Sequence, residues 1–345
     1  MTATTTPATL ALVMIVRDEA RCLGRCLDSV RPHVDQMVVL DTGSTDDTVS
    51  IARMAGAQVG HFTWVNDFSA ARNAALALSQ CDWNLVLDAD ETLVDGAAAL
   101  QNLRRQGPDF IGRIEVCSTF QQSQGAEALQ AASSWLSRVL PRGIGFAGVV
   151  HEQVDSDLPR HDLAIRVQHD GYLPEQMVRK QGRNQMLLEA AVAEAPGDAY
   201  LHYQLGKDHE VHDRFDAASQ AYAQAAALLP TDTPREPGWR HDLLLRQLFA
   251  LKAQGQTAEA IDLAEQVMPH WGDSPDFYFV LGDVLLEHVL RHTDTAAELV
   301  PMVEQAWLRC TEIGENPRLE GAVAGRGSHL AQHNLDTLRQ LLSGG

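Results

Sequence analysis

Three apolar runs constrain the fold more than anything else in this chain: Leu10-Ala11-Leu12-Val13-Met14-Ile15-Val16, Gln36-Met37-Val38-Val39-Leu40 and Trp83-Asn84-Leu85-Val86-Leu87. Short and nearly free of polar alternation, each reads as a strand covered on both faces. Helical patterns separate them. One runs from about Glu19 to Val30 with Leu23, Cys26, Leu27 and Val30 on a single face, and others span Val49 to Ala55 and Ser69 to Ser79. A short strand is expected from Gln58 to Phe62. The succession β-α-β-α-β-α-β implies a parallel sheet, and such sheets bind ligands at the carboxyl ends of their strands. Asp41 stands at one such end. At another, the third run passes directly into Asp88-Ala89-Asp90-Glu91. In extended backbone, positions i and i+2 point to the same side. Asp88 and Asp90 would then offer two hard oxygen ligands, suited to Mg²⁺ or Mn²⁺ that keeps other positions for water and phosphate. A polar turn with capping acids is the alternative, and Glu91 reads as a helix-start residue.

From about Pro174 the pattern changes to helices alone. Residues Ala199 to Pro230 fit a tetratricopeptide repeat, with Leu205-Gly206 at the tight corner of its first helix and Ala218, Tyr222 and Ala225 along its second. A second unit starts near His241 and carries Leu248, Gly255, Ala260 and Ala264 in matching places. Gly282, in Leu281-Gly282, follows one repeat length, roughly 34 residues, after Leu248. That third unit has its second helix near Val303 to Thr311, displaced by an insertion around His292 to Leu299. A last helix, about Ser328 to Leu342, caps the stack. The expected division is residues 1–172 for the α/β domain, 173–197 for a connecting helix and 198–345 for the repeats. Repeats of this kind signal helix packing. Their surface suits a protein or peptide partner or a homodimer contact.

The composition excludes some classes. A net charge of -19 over 345 residues opposes general binding to nucleic acid or to an anionic membrane. It also means that a phosphate-bearing ligand needs local help from a metal or placed arginines. Five scattered cysteines form no disulfide framework. Cys22 and Cys26 are one helical turn apart but lack a second pair at zinc spacing, so they read as ordinary helix positions. No run approaches the ~18 apolar residues of a membrane span, nor does the start resemble a signal peptide. A cytoplasmic protein is expected.

Four blocks together resemble family 2 glycosyltransferases of the GT-A fold. They are Val13-Met14-Ile15-Val16-Arg17-Asp18-Glu19, Val38-Val39-Leu40-Asp41-Thr42-Gly43-Ser44-Thr45-Asp46, Trp64-Val65-Asn66-Asp67-Phe68-Ser69-Ala70-Ala71-Arg72-Asn73 and Leu87-Asp88-Ala89-Asp90-Glu91. With the repeats, the chain is similar to bacterial enzymes that join this domain to tetratricopeptide helices, a group that includes peptide S-glycosyltransferases acting on bacteriocins. The resemblance implies an α/β GT-A catalytic domain, Rossmann-like with a mostly parallel sheet, followed by an all-α repeat domain. It implies a metal-dependent, inverting transfer from a nucleoside diphosphate sugar, a UDP-hexose, to a peptide, protein or glycan. A repeat-based scaffold with an inactive transferase domain is the alternative from another class. A nucleotidyltransferase would want a glycine- and lysine-rich loop after the first strand, and Arg17-Asp18-Glu19-Ala20 is not one.

The resemblance also implies roles. Asp41 would hydrogen-bond the nucleoside; it would equally serve as a helix cap with Thr42 and Ser44. Arg72 would face the diphosphate, with Arg138 and Arg142 as further candidates. Asp67 would orient Arg72 or contact the base, or simply stand as a helix N-terminal acid. Asp90 would ligate Mn²⁺ or Mg²⁺ directly, Asp88 would contact ribose or metal-bound water, and His169 would complete the coordination. The acceptor side would lie in Gly143 to Glu152, with Glu152 as the base and His151 on phosphate or acceptor. Many relatives carry Glu-Asp where this chain has His151-Glu152, which leaves the identity of the base open. Lys180, Arg183 and Asn184 would close over the donor or solvate a helix.

Overall fold

The computed structural model describes residues 7–120, 130–169 and 182–343. Lys180 therefore lies outside the described residues. The chain divides into two compact units: one runs to residue 181, save for 130–133, and the other takes in 130–133 and 182 onward.

The first unit is built on an eight-stranded sheet in the order β3-β2-β1-β4-β7-β6-β10-β5. Its elements are β1 (Leu10–Val16), α1 (Leu23–Val30), β2 (Gln36–Asp41), α2 (Thr48–Met54), β3 (Gln58–His61), α3 (Phe68–Ala77), β4 (Trp83–Val86), β5 (Glu91–Asp95), α4 (Ala97–Leu103), β6 (Ile111–Phe120), β7 (Gln130–Pro141), β8 (Gly145–Ala147), β9 (Gln153–Asp155) and β10 (Arg160–His169). The strands β3, β2, β1 and β4 pair in parallel, as the alternating pattern implies. Beyond them β7 runs antiparallel to β4, and β5 antiparallel to β10.

Strand β1 shows why its sequence carries no polar alternation. Leu10, Leu12, Met14 and Val16 pack with Leu23, Cys26, Leu27 and Val30 of α1. Ala11 and Val13 point the other way and pack with Ala75 of α3. With both faces covered, a polar side chain on either one would be buried without a partner.

Helix α1 starts at Leu23, several residues later than its periodicity suggests. The residues before it are held in a loop. Asp18 has φ +54°, and the backbone N–H groups of Asp18, Glu19 and Ala20 donate to Ser44, Thr48 and Asp46. Those contacts tie the segment to the loop after β2, and the left-handed Asp18 sets the chain direction out of β1.

From 182 onward the described residues of the second unit form helices: α5 (Arg183–Glu194), α6 (Ala199–Val211), α7 (Phe215–Leu228), α8 (Arg240–Ala253), α9 (Thr257–Val267), α10 (Pro275–Arg291), α11 (Ala296–Ile313) and α12 (His329–Ser343). The pairs α6/α7, α8/α9 and α10/α11 are the three expected repeats, and Ala331, Leu335 and Leu338 of α12 join the core of the last two. The insertion in the third repeat is itself helical. A single 3₁₀ turn at Thr293–Thr295 leads straight into α11, which starts well before Val303.

The small corner residues act through contact. A Cβ on Gly206 would fall 2.3 Å from the Tyr222 ring, and one on Gly282 would fall 2.4 Å from Trp307. Tyr222 is fully buried, and its hydroxyl donates to Glu210 at 2.6 Å. We therefore expect Gly206→Ala to destabilise the chain. Overpacking of this kind costs ~1–3 kcal/mol, and the better helix propensity of alanine returns about 1. A net loss of up to about 2 kcal/mol should appear as a lower urea midpoint at unchanged slope; an unchanged or higher midpoint would show that the ring gives way freely.

Candidate active site

The acidic segment after β4 does not stay extended. The strand ends at Val86, and Asp88 to Glu91 form a turn closed by the Glu91 N–H on the Asp88 carbonyl at 3.0 Å. The turn overrides the two-residue alternation, and the two carboxylates engage different partners. Asp88 lies between two arginines: it accepts from Arg72 Nη2 through Oδ1 at 2.8 Å and from Arg138 Nη2 through Oδ2 at 2.9 Å. Asp90 is buried, with Oδ2 3.4 Å from His169 Nε2. The other His169 nitrogen, Nδ1, is 3.1 Å from Ser118 Oγ. Strand pairing produces this meeting, since β10 places His169 opposite Glu91 on one side and Ser118 on the other.

Glu91 is not a helix-start residue. It opens β5, is almost fully buried, accepts the Asp88 N–H through Oε2 at 2.9 Å and takes Arg138 Nη2 on Oε1 at 3.1 Å. The result is an alternating chain of charges: Glu91, Arg138, Asp88, Arg72, Glu152. Its last link is Arg72 Nε, which donates to Glu152 Oε1. Along Glu91, Arg138, Asp88 and Arg72 burial opposes charge and the opposite charges favour it, and the balance differs from group to group. Burial would raise the Asp88 carboxyl, but Arg72 and Arg138 hold it well below the usual carboxylate range. Burial works against charge on Arg72 too, and is outweighed by Asp88 and Glu152, which push its pKa up. Glu91 goes the other way: burial raises it despite Arg138. For His169, burial favours the neutral ring, yet the Asp90 carboxylate raises its pKa.

The glycine-rich stretch from Gly143 to Glu152 forms a hairpin, with β8 antiparallel to β9. Asn73 of α3 holds its base. The side-chain amide donates to the Phe146 carbonyl at 2.9 Å and accepts the Phe146 N–H at 2.8 Å. A Cβ at Gly145 would fall 2.6 Å from Asn73 Oδ1, so this contact needs glycine. The tip turns through Gly148 at φ +97° and His151 at φ +52°. There His151 is exposed, while Glu152 reaches inward to Arg72.

Other candidates fall elsewhere. Asp41 is buried at the end of β2, where it accepts the Gly43 and Ser44 N–H groups and lies 3.5 Å from His61 Nδ1. It shapes the turn and does not cap α2, whose N-terminus is met by Asp46 on the Thr48 N–H. Asp67 caps α3, accepting from the Ala70 N–H and the Ser69 hydroxyl, both at 2.9 Å. Arg72 is oriented by Asp88 and Glu152, not by Asp67. Arg142 is exposed and donates to Gln80. Cys22 and Cys26 are buried free thiols, and burial with the Glu19 carboxylate pushes the Cys22 thiol up to about 12.

Sequence reasoning missed Glu91, Asn73 and Ser118 as parts of this site. Glu91 and Asn73 sit inside the quoted blocks, but their partners are far along the chain. Among the described residues, no group of three or more His, Cys, Asp or Glu side chains is arranged to hold a metal ion. The donor set available to a cation is the buried Asp90–His169 pair, an oxygen and a nitrogen ligand side by side. Asp88 is committed to its arginines.

A mostly parallel curled sheet with buried acids and arginines past its strand ends, continued by antiparallel strands, defines an α/β domain of the GT-A kind. Residues 11–111 match the family model described as Glycosyl transferase family 2. The chain thus carries a family 2 glycosyltransferase domain, followed by tetratricopeptide-like helices. A TPR repeat-containing protein of Synechococcus elongatus is 37% identical over 274 residues, covering 74% of this chain and 64% of that protein. The SPbeta prophage-derived glycosyltransferase SunS of Bacillus subtilis is 26% identical over 219 residues, covering 61% of this chain and 51% of its own length. The chain thus spans between half and two thirds of these curated relatives. Glucosyl-3-phosphoglycerate synthase of Mycobacterium tuberculosis, solved with Mn²⁺ and UDP, is 25% identical over 34% of this chain and 45% of that one, with a TM-score of 0.26. At that score no correspondence of sites follows. No described helix is long and apolar enough to cross a membrane.

Proposed function

We propose that this chain transfers a sugar from a nucleoside diphosphate sugar, with UDP as the nucleotide, to a peptide, protein or glycan acceptor. The observation that carries the reading is the placement of Arg72 of α3 and Arg138 of β7, two buried guanidinium groups that meet on Asp88 just past the end of β4, in the same turn as Asp90 of the Asp90–His169 pair. Buried arginines held in place by carboxylates are suited to a diphosphate, which takes a guanidinium through two parallel hydrogen bonds.

In this reading Asp90 and His169 hold Mn²⁺ or Mg²⁺, which keeps its remaining positions for phosphate oxygen and water. When bound, the cation supplies charge that stabilises the departing diphosphate. Arg72 and Arg138 supply the rest, Asp88 sets their spacing, and Asp41 receives the nucleoside at the end of β2. In an inverting transfer the acceptor X–H gives its proton to a base, X bonds to the anomeric carbon, and the carbon–oxygen bond to diphosphate breaks with both electrons leaving on UDP. Glu152, at the hairpin tip, is the base in this scheme, with exposed His151 on the acceptor side. The helical unit recruits the acceptor or a second copy of the chain.

The test is UDP release from a panel of UDP-sugars with and without Mn²⁺ or Mg²⁺, followed by mass spectrometry of candidate acceptors. Metal-dependent release from at least one donor is the expected result. No release, together with no metal-dependent UDP binding, would favour a repeat-based scaffold with an inactive transferase domain.

A further inference from the structure

A third side chain stands behind the Asp90–His169 pair. Ser118 Oγ lies 3.1 Å from His169 Nδ1, while His169 Nε2 faces Asp90 Oδ2 at 3.4 Å. Backbone pairing builds this contact. Ser118 of β6 and His169 of β10 are register partners in a parallel pair, and Glu91 of β5 pairs with His169 from the other side. Neighbouring strands lie ~4.8 Å apart, so hydroxyl and ring meet although 51 positions separate them in the chain. The His169 side chain is 20% exposed and that of Asp90 is 9% exposed. A ring N–H left without an acceptor at such a place costs free energy.

A neutral imidazole carries its proton on one nitrogen, and only the other can ligate a metal. Facing Asp90, the ring favours the proton on Nε2, because a carboxylate is a strong acceptor. That form blocks the ligand position. A cation shared by Asp90 and His169 needs Nε2 bare and the proton on Nδ1, where Ser118 Oγ accepts it. A hydroxyl can also donate to a bare Nδ1, so Ser118 serves either form. Its worth in the two differs. A ring bound to a cation is a charge-assisted donor, about twice as strong as a neutral one. We infer that Ser118 is a positioning residue for the cation: it stabilises the His169 tautomer that offers Nε2 and, by accepting from Nδ1–H, makes that nitrogen a better ligand. The inference rests on the cation reading above and deepens it.

Calorimetric titration of the full chain with Mn²⁺ in the presence of UDP tests this. Ser118→Ala removes the acceptor, whereas Ser118→Thr keeps the hydroxyl on a residue that suits a strand. Mn²⁺ affinity should fall about tenfold in Ser118→Ala and stay within about twofold of wild type in Ser118→Thr. Nitrogen NMR of His169 with Mg²⁺ and UDP should show the proton on Nδ1 in wild type and shared between both nitrogens in Ser118→Ala. Unchanged Mn²⁺ affinity in Ser118→Ala, with binding lost in Asp90→Ala, overturns the role of Ser118 and leaves the cation reading standing. An equal loss in both Ser118 variants, together with a lowered urea midpoint, makes Ser118 a packing residue and overturns it too. No Mn²⁺ binding by wild type removes the cation reading itself, and this inference with it.

Discussion

Asp88→Ala should cost about 2–3 kcal/mol of stability and should also weaken diphosphate binding. Removing one partner of a buried ion pair costs ~3–5 kcal/mol, because the other charge is left uncompensated. Here two effects bring the figure down. Arg72 keeps Glu152 and Arg138 keeps Glu91, so neither guanidinium is stranded. Asp88 is also 35% exposed, which screens its pairing. What remains is the cost of two arginines, each about a tenth exposed, now facing one another without the anion between them. Urea unfolding at unchanged slope measures the loss. The pH dependence has a definite sign. The Asp88 carboxyl is held below its ordinary value, so its contribution is fully present above the unfolded pKa of about 4 and declines as pH falls below it. The stability gap between wild type and Asp88→Asn should therefore narrow on acidification below about pH 4. A gap that stays constant through that range, or a loss below about 1 kcal/mol for the alanine variant, would show that Asp88 does not organise the two arginines.

Asp90→Ala should remove metal-dependent UDP binding while leaving the fold intact. Asp90 supplies the oxygen of the Asp90–His169 pair, and among the described residues the neighbouring Asp88 is engaged by arginine. Outer-sphere partners of metal ligands are typically worth 10–100-fold in affinity, and a direct ligand is expected to exceed that, at least on the order of 100-fold. Titration of Mn²⁺ with UDP present is the measurement, with the unfolding midpoint as the control. Unchanged Mn²⁺-dependent UDP affinity would take Asp90 out of the cation site.

Much of the first unit was legible in the sequence because its constraints are local. A strand covered on both faces by helices admits only apolar side chains, so β1 and β2 announce themselves, and the loops after them hold the polar residues. The repeat corners were legible for the same reason. Gly206 and Gly282 are small because a large ring occupies the space in the first and third repeats, whereas the second carries Leu248 at that place. Where an expectation gives way, the reasons differ. Glu91 reads as a helix start but opens a strand, because distant β10 pairs with it. Strand alternation aligns Asp88 and Asp90, but a local turn closed by the Glu91 N–H on the Asp88 carbonyl replaces it, as the polar-turn alternative has it. Asp67 is the helix N-terminal acid, the alternative to a contact with Arg72.

The sequence by itself determined the α/β order, the helical repeats, the acids at the strand ends and the arginine block. Tertiary structure alone decided which of these meet. Arg72 and Glu152, Arg138 and Glu91, and Asp90 and His169 are each separated by many tens of residues and joined only by sheet pairing and by one hairpin. Electrostatics is a matter of distance in space. Burial and pairing set whether a carboxylate serves as a ligand, a brace or a base, and neither is written in residue order. Asp88 shows this most plainly: its place at the strand end is readable in the chain, but its partners are not.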